Sequence, residues 1–134
     1  MKRMMLALAV TIVMLVVVGS LACAFTMSEK VVVANELIAI ARVPAGGFSA
    51  QERVDRINER LAYIFGYESL DPRSISAVPR GSERLIMVGD TPLITVTARD
   101  ARANNTTIQD LTRTWLQLAK EAIPQARPTP AMPD

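Results

Sequence analysis

Two stretches of this sequence repeat apolar residues every three or four positions, each along one side only. Ala50, Val54, Ile57, Leu61 and Ile64 or Phe65 form the first stripe. Ile108, Leu111, Trp115, Leu118, Ala119 and Ala122 form the second. The spacing follows the turn of an α-helix, so each stretch is an amphipathic helix with one face to bury. Gln51, Arg53, Asp55, Arg56, Asn58, Glu59 and Arg60 cover the other side of the first helix and read as a solvated face. Glu52 and Arg56 stand four residues apart there, a spacing that suits an ion pair. Ser49-Ala50-Gln51-Glu52 opens this helix as a capping box, Ser accepting from the N–H at Glu52 and Glu reaching back to the N–H at Ser49. Gly66 is its expected stop. Thr107 caps the second helix, with Asp110 in its first turn, and Pro124 ends it.

Neither stripe is buried by its own helix, and the remaining apolar runs are strand-like. Val31-Val32-Val33 and Leu37-Ile38-Ala39-Ile40-Ala41 flank Asn35, which tolerates positive φ, and read as a hairpin in preference to one long strand. Leu85-Ile86-Met87-Val88 and Leu93-Ile94-Thr95-Val96-Thr97 flank Gly89-Asp90 and read as a second hairpin, Gly89 supplying positive φ at the first turn position. Ile75 to Val78 is a short strand, and Pro79 places it at an edge. One sheet can bury both helices on one face. The expected fold is therefore α+β: a two-layer α/β sandwich, with a small mainly antiparallel sheet and two amphipathic helices on one face.

The first 25 residues belong to a different regime. Lys2 and Arg3 precede an apolar run from Met4 to Val18, then Gly19, Ser20 and the small-residue exit Leu21-Ala22-Cys23-Ala24. That is the pattern of an export signal, with cleavage expected after Ala22 or Ala24. Two alternatives stay open. Met4 to Phe25 is long enough to cross a ~30 Å hydrocarbon core uncleaved, and Ser20-Leu21-Ala22-Cys23 loosely matches a lipoprotein box, which makes Cys23 a candidate lipidation site. The organisation is then a signal peptide or N-terminal membrane anchor over 1–25, an α/β domain over 30–124 and a Pro-rich tail over 125–134, expected to be disordered. The localisation expected is periplasmic or otherwise extracytoplasmic.

The 134 residues hold 15 Lys and Arg against 13 Asp and Glu; without Lys2 and Arg3 the balance is 13 against 13. A neutral domain gives no reason to expect nucleic acid or an anionic membrane surface as a partner. There is no His, and the single Cys lies at position 23. The usual triads, most zinc sites and thiol chemistry are therefore not expected, and no phosphate-binding glycine motif occurs. No cofactor, metal site or catalytic residue is expected. A hydrolase built on carboxylates alone needs two of Asp55, Glu83, Asp90, Asp100 and Asp110 to converge. Asp100, between Arg99 and Arg102, reads as an ion pair or a loop hydrogen bond instead. Arg53, Arg56 and Arg60 suggest an anion-binding patch, but Glu52, Asp55 and Glu59 neutralise it. Trp115, at helical spacing, reads as core.

Val31 to Ile123 resembles the extracytoplasmic N-terminal domain of some small-conductance mechanosensitive channel family proteins. The resemblance rests on the Val-rich hairpin ending Ile38-Ala39-Ile40, Ser49-Ala50-Gln51-Glu52-Arg53 with Ile57 and Arg60-Leu61, the strand Ile94-Thr95-Val96-Thr97 followed by Asp100-Ala101, and Leu111 and Trp115. It differs in carrying Asn35 where the family commonly has Gly, and in lacking the pore helices, so no channel activity follows. It implies an envelope-facing domain. The expected function is a non-enzymatic exported interaction module that docks on an envelope or membrane protein, touching the membrane through its N-terminal segment where that is retained. The alternative is a small-ligand binding or sensory domain.

Overall fold

The computed structural model describes residues 29–126. The signal or anchor segment, Cys23 and most of the Pro-rich tail lie outside this range. The chain runs β1 (Glu29–Val33), β2 (Glu36–Ala41), α1 (Ala50–Tyr67), β3 (Ile75–Arg80), β4 (Glu83–Val88), β5 (Thr91–Val96), α2 (Ala98–Ala103) and α3 (Ile108–Ala122). The fold is α+β, and all strand pairing is antiparallel.

The strands form two sheets, not the single one expected: β1–β2 and β3–β4–β5. The helices join them. Helix α1 packs on β1, β2 and β5, and α3 packs on β2, β3, β4 and β5. One core results, in which Val31, Ile38, Ile64, Ile86, Leu93, Val96 and Ala119 are fully or almost fully buried. Both stripes read from the sequence face it. Val54, Ile57, Leu61 and Ile64 are buried on α1, and Leu111, Trp115, Ala119 and Ala122 on α3. Ile108 and Leu118 are only partly buried at its margin.

The three hairpin turns use the backbone chemistry their residues permit. Ala34 and Asn35 both have positive φ, 50° and 66°, as a two-residue turn joining right-twisted strands requires. Gly81 and Gly89 supply φ of 59° and 56° at the first positions of the other two. In β2 and β5 the register slips by one residue, at Ile38 and Leu93. Such a bulge breaks the strict alternation of faces. It accounts for the consecutive buried pairs Ile38-Ala39 and Leu93-Ile94.

One local expectation is corrected, and two segments carry structure beyond that expected from the sequence. Helix α1 does not stop at Gly66 but continues through Tyr67, and Glu68 closes it by donating its N–H to the Ile64 carbonyl at 2.9 Å. The polar run from Asp100 to Asn105, which carries no stripe, contains most of the short helix α2, closed by Asn105 at φ 53°. Pro124 ends α3 as expected, and Ile123–Ala126 makes a further tight turn with Ile123 fully buried. Pro79 sits as expected in an edge strand, β3 pairing only with β4 among the described residues. Among the described residues no helix is long and apolar enough to cross a membrane.

Candidate anion-binding cleft

The link from β2 to α1 builds one wall of a cleft. Ala45 and Phe48 exchange two backbone hydrogen bonds, 3.0 and 3.1 Å. Gly46 and Gly47 between them have φ of 61° and 81°, so this tight turn depends on both glycines. Ser49 then caps α1. Its hydroxyl accepts from the Glu52 N–H at 3.1 Å, and its own N–H donates to the Glu52 carboxylate at 2.8 Å. Glu52 is thus engaged by the cap and forms no ion pair with Arg56. The guanidinium of Arg56 instead lies over the Phe48 ring, 3.9 Å from its centre, in cation–π contact.

Helix geometry sorts the charges that the sequence mixes together. Arg53, Arg56 and Arg60 each precede a buried residue, Val54, Ile57 and Leu61. At about 100° per residue they flank the core stripe, whereas Glu52, Asp55 and Glu59 are a further step round and exposed. The three arginines line the cleft and those three acids do not. Its other walls are Gly46 and Phe48, Thr95 and Thr97 at the end of β5, and Arg80 and Glu83 on either side of the β3–β4 turn. The cavity measures about 250 Å³.

Arg53 is the structural member of this set, which overturns its reading as part of a solvated face. Its guanidinium grips Asp100 with two 2.8 Å hydrogen bonds. It also donates to the carbonyls of Val43 at 2.8 Å and Thr95 at 3.2 Å. Asp100 is fully buried. Its second oxygen also accepts from the N–H of Thr97 at 3.0 Å and from its hydroxyl at 2.9 Å, within a second capping box at the start of α2. Asp100 is therefore ion-paired as its surroundings suggested, but with Arg53 rather than Arg99 or Arg102. The pair ties α1, the chain after β2, β5 and α2 together. The signal for that box was present, since Thr97-Ala98-Arg99-Asp100 has the capping spacing.

The other cleft cations are differently employed. Arg60 gives one hydrogen bond to the Leu93 carbonyl, 3.2 Å, and keeps its remaining donors. The side chains of Arg56 and Arg80 make no hydrogen bond or ion pair within the described residues. Of the five carboxylates considered from the sequence, only Glu83 lines the cleft. Asp100 lies behind Arg53. Asp90 is exposed in the β4–β5 turn. Asp55 accepts from Gln51 at 2.8 Å, and Asp110 pairs with Arg113 at 2.8 Å. No group of three His, Cys, Asp or Glu among the described residues is placed to hold a metal. Trp115 is 5% exposed and belongs to the core.

No curated protein and no solved structure matches the chain. Residues 30–126 match the model of a domain of unknown function, DUF8459. The match spans both sheets and all three helices, and the chain belongs to the DUF8459 family.

Proposed function

We propose that this protein is a non-enzymatic, exported binding module of the cell envelope, and that the arginine cleft is its binding site. The observation that carries the reading is uncompensated positive charge inside a built concavity. Arg53 is neutralised by Asp100, so Arg56, Arg60 and Arg80 face the single carboxylate of Glu83. Guanidinium groups gathered in a cleft hold anionic groups through directed, charge-assisted hydrogen bonds. The lining offers no histidine or thiol and only one carboxylate, which suits holding a ligand rather than transforming it. The N-terminal export pattern and the resemblance to an extracytoplasmic domain support an envelope partner, which would present the anionic group.

Two measurements test this reading. The intact mass of the protein recovered from a bacterial cell envelope should begin at Cys23 or Phe25, carry lipid, or retain the segment in the membrane fraction. Full-length protein found only in the cytosol would refute export. Amide chemical shifts of the protein titrated with acetate, sulfate and inorganic phosphate should move at Gly46, Gly47, Arg56, Arg60, Arg80 and Glu83. Shifts scattered over the whole surface would refute the cleft.

A further inference from the structure

The arrangement of donors narrows the ligand. We infer that the cleft binds a phosphoryl group in its dianionic form, an inference that rests on the binding reading above. Three cations with uncommitted donors come from two sides: Arg56 and Arg60, one turn apart on α1, and Arg80 across from them at the β3–β4 turn. A carboxylate has two oxygens in one plane, and a single arginine fork satisfies it. A phosphate monoester offers three oxygens and a charge of about −1.5 to −2 near neutral pH. That matches three guanidinium groups whose only opposing charge in the lining is Glu83. The Phe48 ring holds the Arg56 guanidinium by its face, which leaves the in-plane N–H groups for a ligand.

Glu83 adds a second element of recognition. It is half-buried, and its carboxylate accepts no hydrogen bond within the described residues. Beside three cations it supplies an acceptor for a hydroxyl or ammonium group next to the phosphoryl group. The cavity of about 250 Å³ is smaller than the ~300–1,000 Å³ of pockets for drug-sized ligands, so it suits a headgroup-sized molecule. A free phosphomonoester and a phospholipid headgroup share this chemistry.

Calorimetric titration of the full chain tests the assignment. Inorganic phosphate should bind more tightly than acetate at pH 7.5. Its affinity should rise from pH 5.5 to 7.5 relative to sulfate, because phosphate gains its second charge in that range and sulfate is a dianion throughout. The sulfate reference removes any contribution from Glu83, the only carboxylate in the lining. Arg80→Gln should weaken phosphate binding about five-fold or more, while Arg99→Gln should leave it unchanged. The side chains of Arg80 and Arg99 are both exposed and make no hydrogen bond within the described residues, so both variants should fold. Glycerol 3-phosphate and phosphatidylcholine vesicles containing phosphatidic acid then separate the two sources. Arg80-dependent binding to either supports the inference, and binding to neither overturns it. Tighter binding of acetate than of phosphate, at the same cleft resonances, overturns the phosphoryl assignment and leaves the cleft standing. No anion response at the cleft overturns both.

Discussion

Replacing Arg53 with Met should be among the most damaging single changes that leave the hydrophobic stripe of α1 intact. The substitution keeps much of the apolar stem and removes the charge. It deletes four hydrogen bonds, two to Asp100 and one each to the carbonyls of Val43 and Thr95. The Asp100 carboxylate, with no exposure of its own, is left with only the two donors of Thr97. Breaking a buried pair in this way costs about 3–5 kcal/mol. Against a total stability of about 5–15 kcal/mol this is a large share. It corresponds to a fall in Tm of about 15–30 °C for a domain of this size. Urea unfolding followed by the fluorescence of Trp115, the only tryptophan, measures it directly. The reference is Arg113→Met. Arg113 meets Asp110 at the same 2.8 Å, but with the two side chains 77% and 55% exposed. Solvent screening reduces that pair to about 0.5 kcal/mol or less. The Arg53→Met cost should persist in 1 M NaCl. Adding Asp100→Leu should cost less than the sum of the two single changes, since no buried charge then remains. An Arg53→Met loss no larger than that of Arg113→Met would refute the reasoning.

Three further outcomes are expected. Gly89→Ala should destabilise more than Gly81→Ala: both have positive φ, but a Cβ at Gly89 runs into the Glu68 carboxylate, which accepts from the Thr91 hydroxyl, whereas Gly81 faces open space. Equal urea midpoints for the two would count against this packing. Gly66→Ala should raise stability by about 0.5–1 kcal/mol, because Gly66 lies within α1, its φ is not positive and its missing Cβ would meet nothing; a lowered Tm would mean that the helix does end there. Leu61→Asp should abolish folding, while Leu118→Asp, at the partly buried margin, should leave a weakened but cooperative thermal transition; an unchanged melt for both would show that the two helix faces are wrongly assigned.

The secondary elements were largely legible because their causes are local. The Ser49–Glu52 box, the stripe from Val54 to Ile64, the Thr107 cap and the turns at Asn35 and Gly89 each involve residues a few positions apart. Where local reading failed, the competing cause was nearby but weaker in signal. Gly66 is tolerated in the last turn of α1 because a helical glycine costs only about 1 kcal/mol against Ala. Helix α2 is six residues long, too short for a periodic stripe, and only its cap at Thr97 marks it. The bulges at Ile38 and Leu93 leave no trace in composition, since an apolar residue suits a buried strand position in either register.

The cleft was half legible. Arg53, Arg56 and Arg60 were visible as a row on α1, and counting their angular offset from Val54, Ile57 and Leu61 separates them from Glu52, Asp55 and Glu59. Their partners were not visible. Arg53 and Asp100 are 47 residues apart in the chain, and nothing in either neighbourhood names the other. Arg80 and Glu83 reach the same cavity only because the β3–β4 hairpin ends opposite α1. The sequence by itself determined which segments are helices and strands and which faces must be buried, because periodicity and capping act over a single turn. Tertiary structure alone decided how the strands divide into two sheets, which acid neutralises which arginine and which cations are left facing a cavity. Those outcomes depend on how distant segments are brought together in space, and no short window of sequence encodes them.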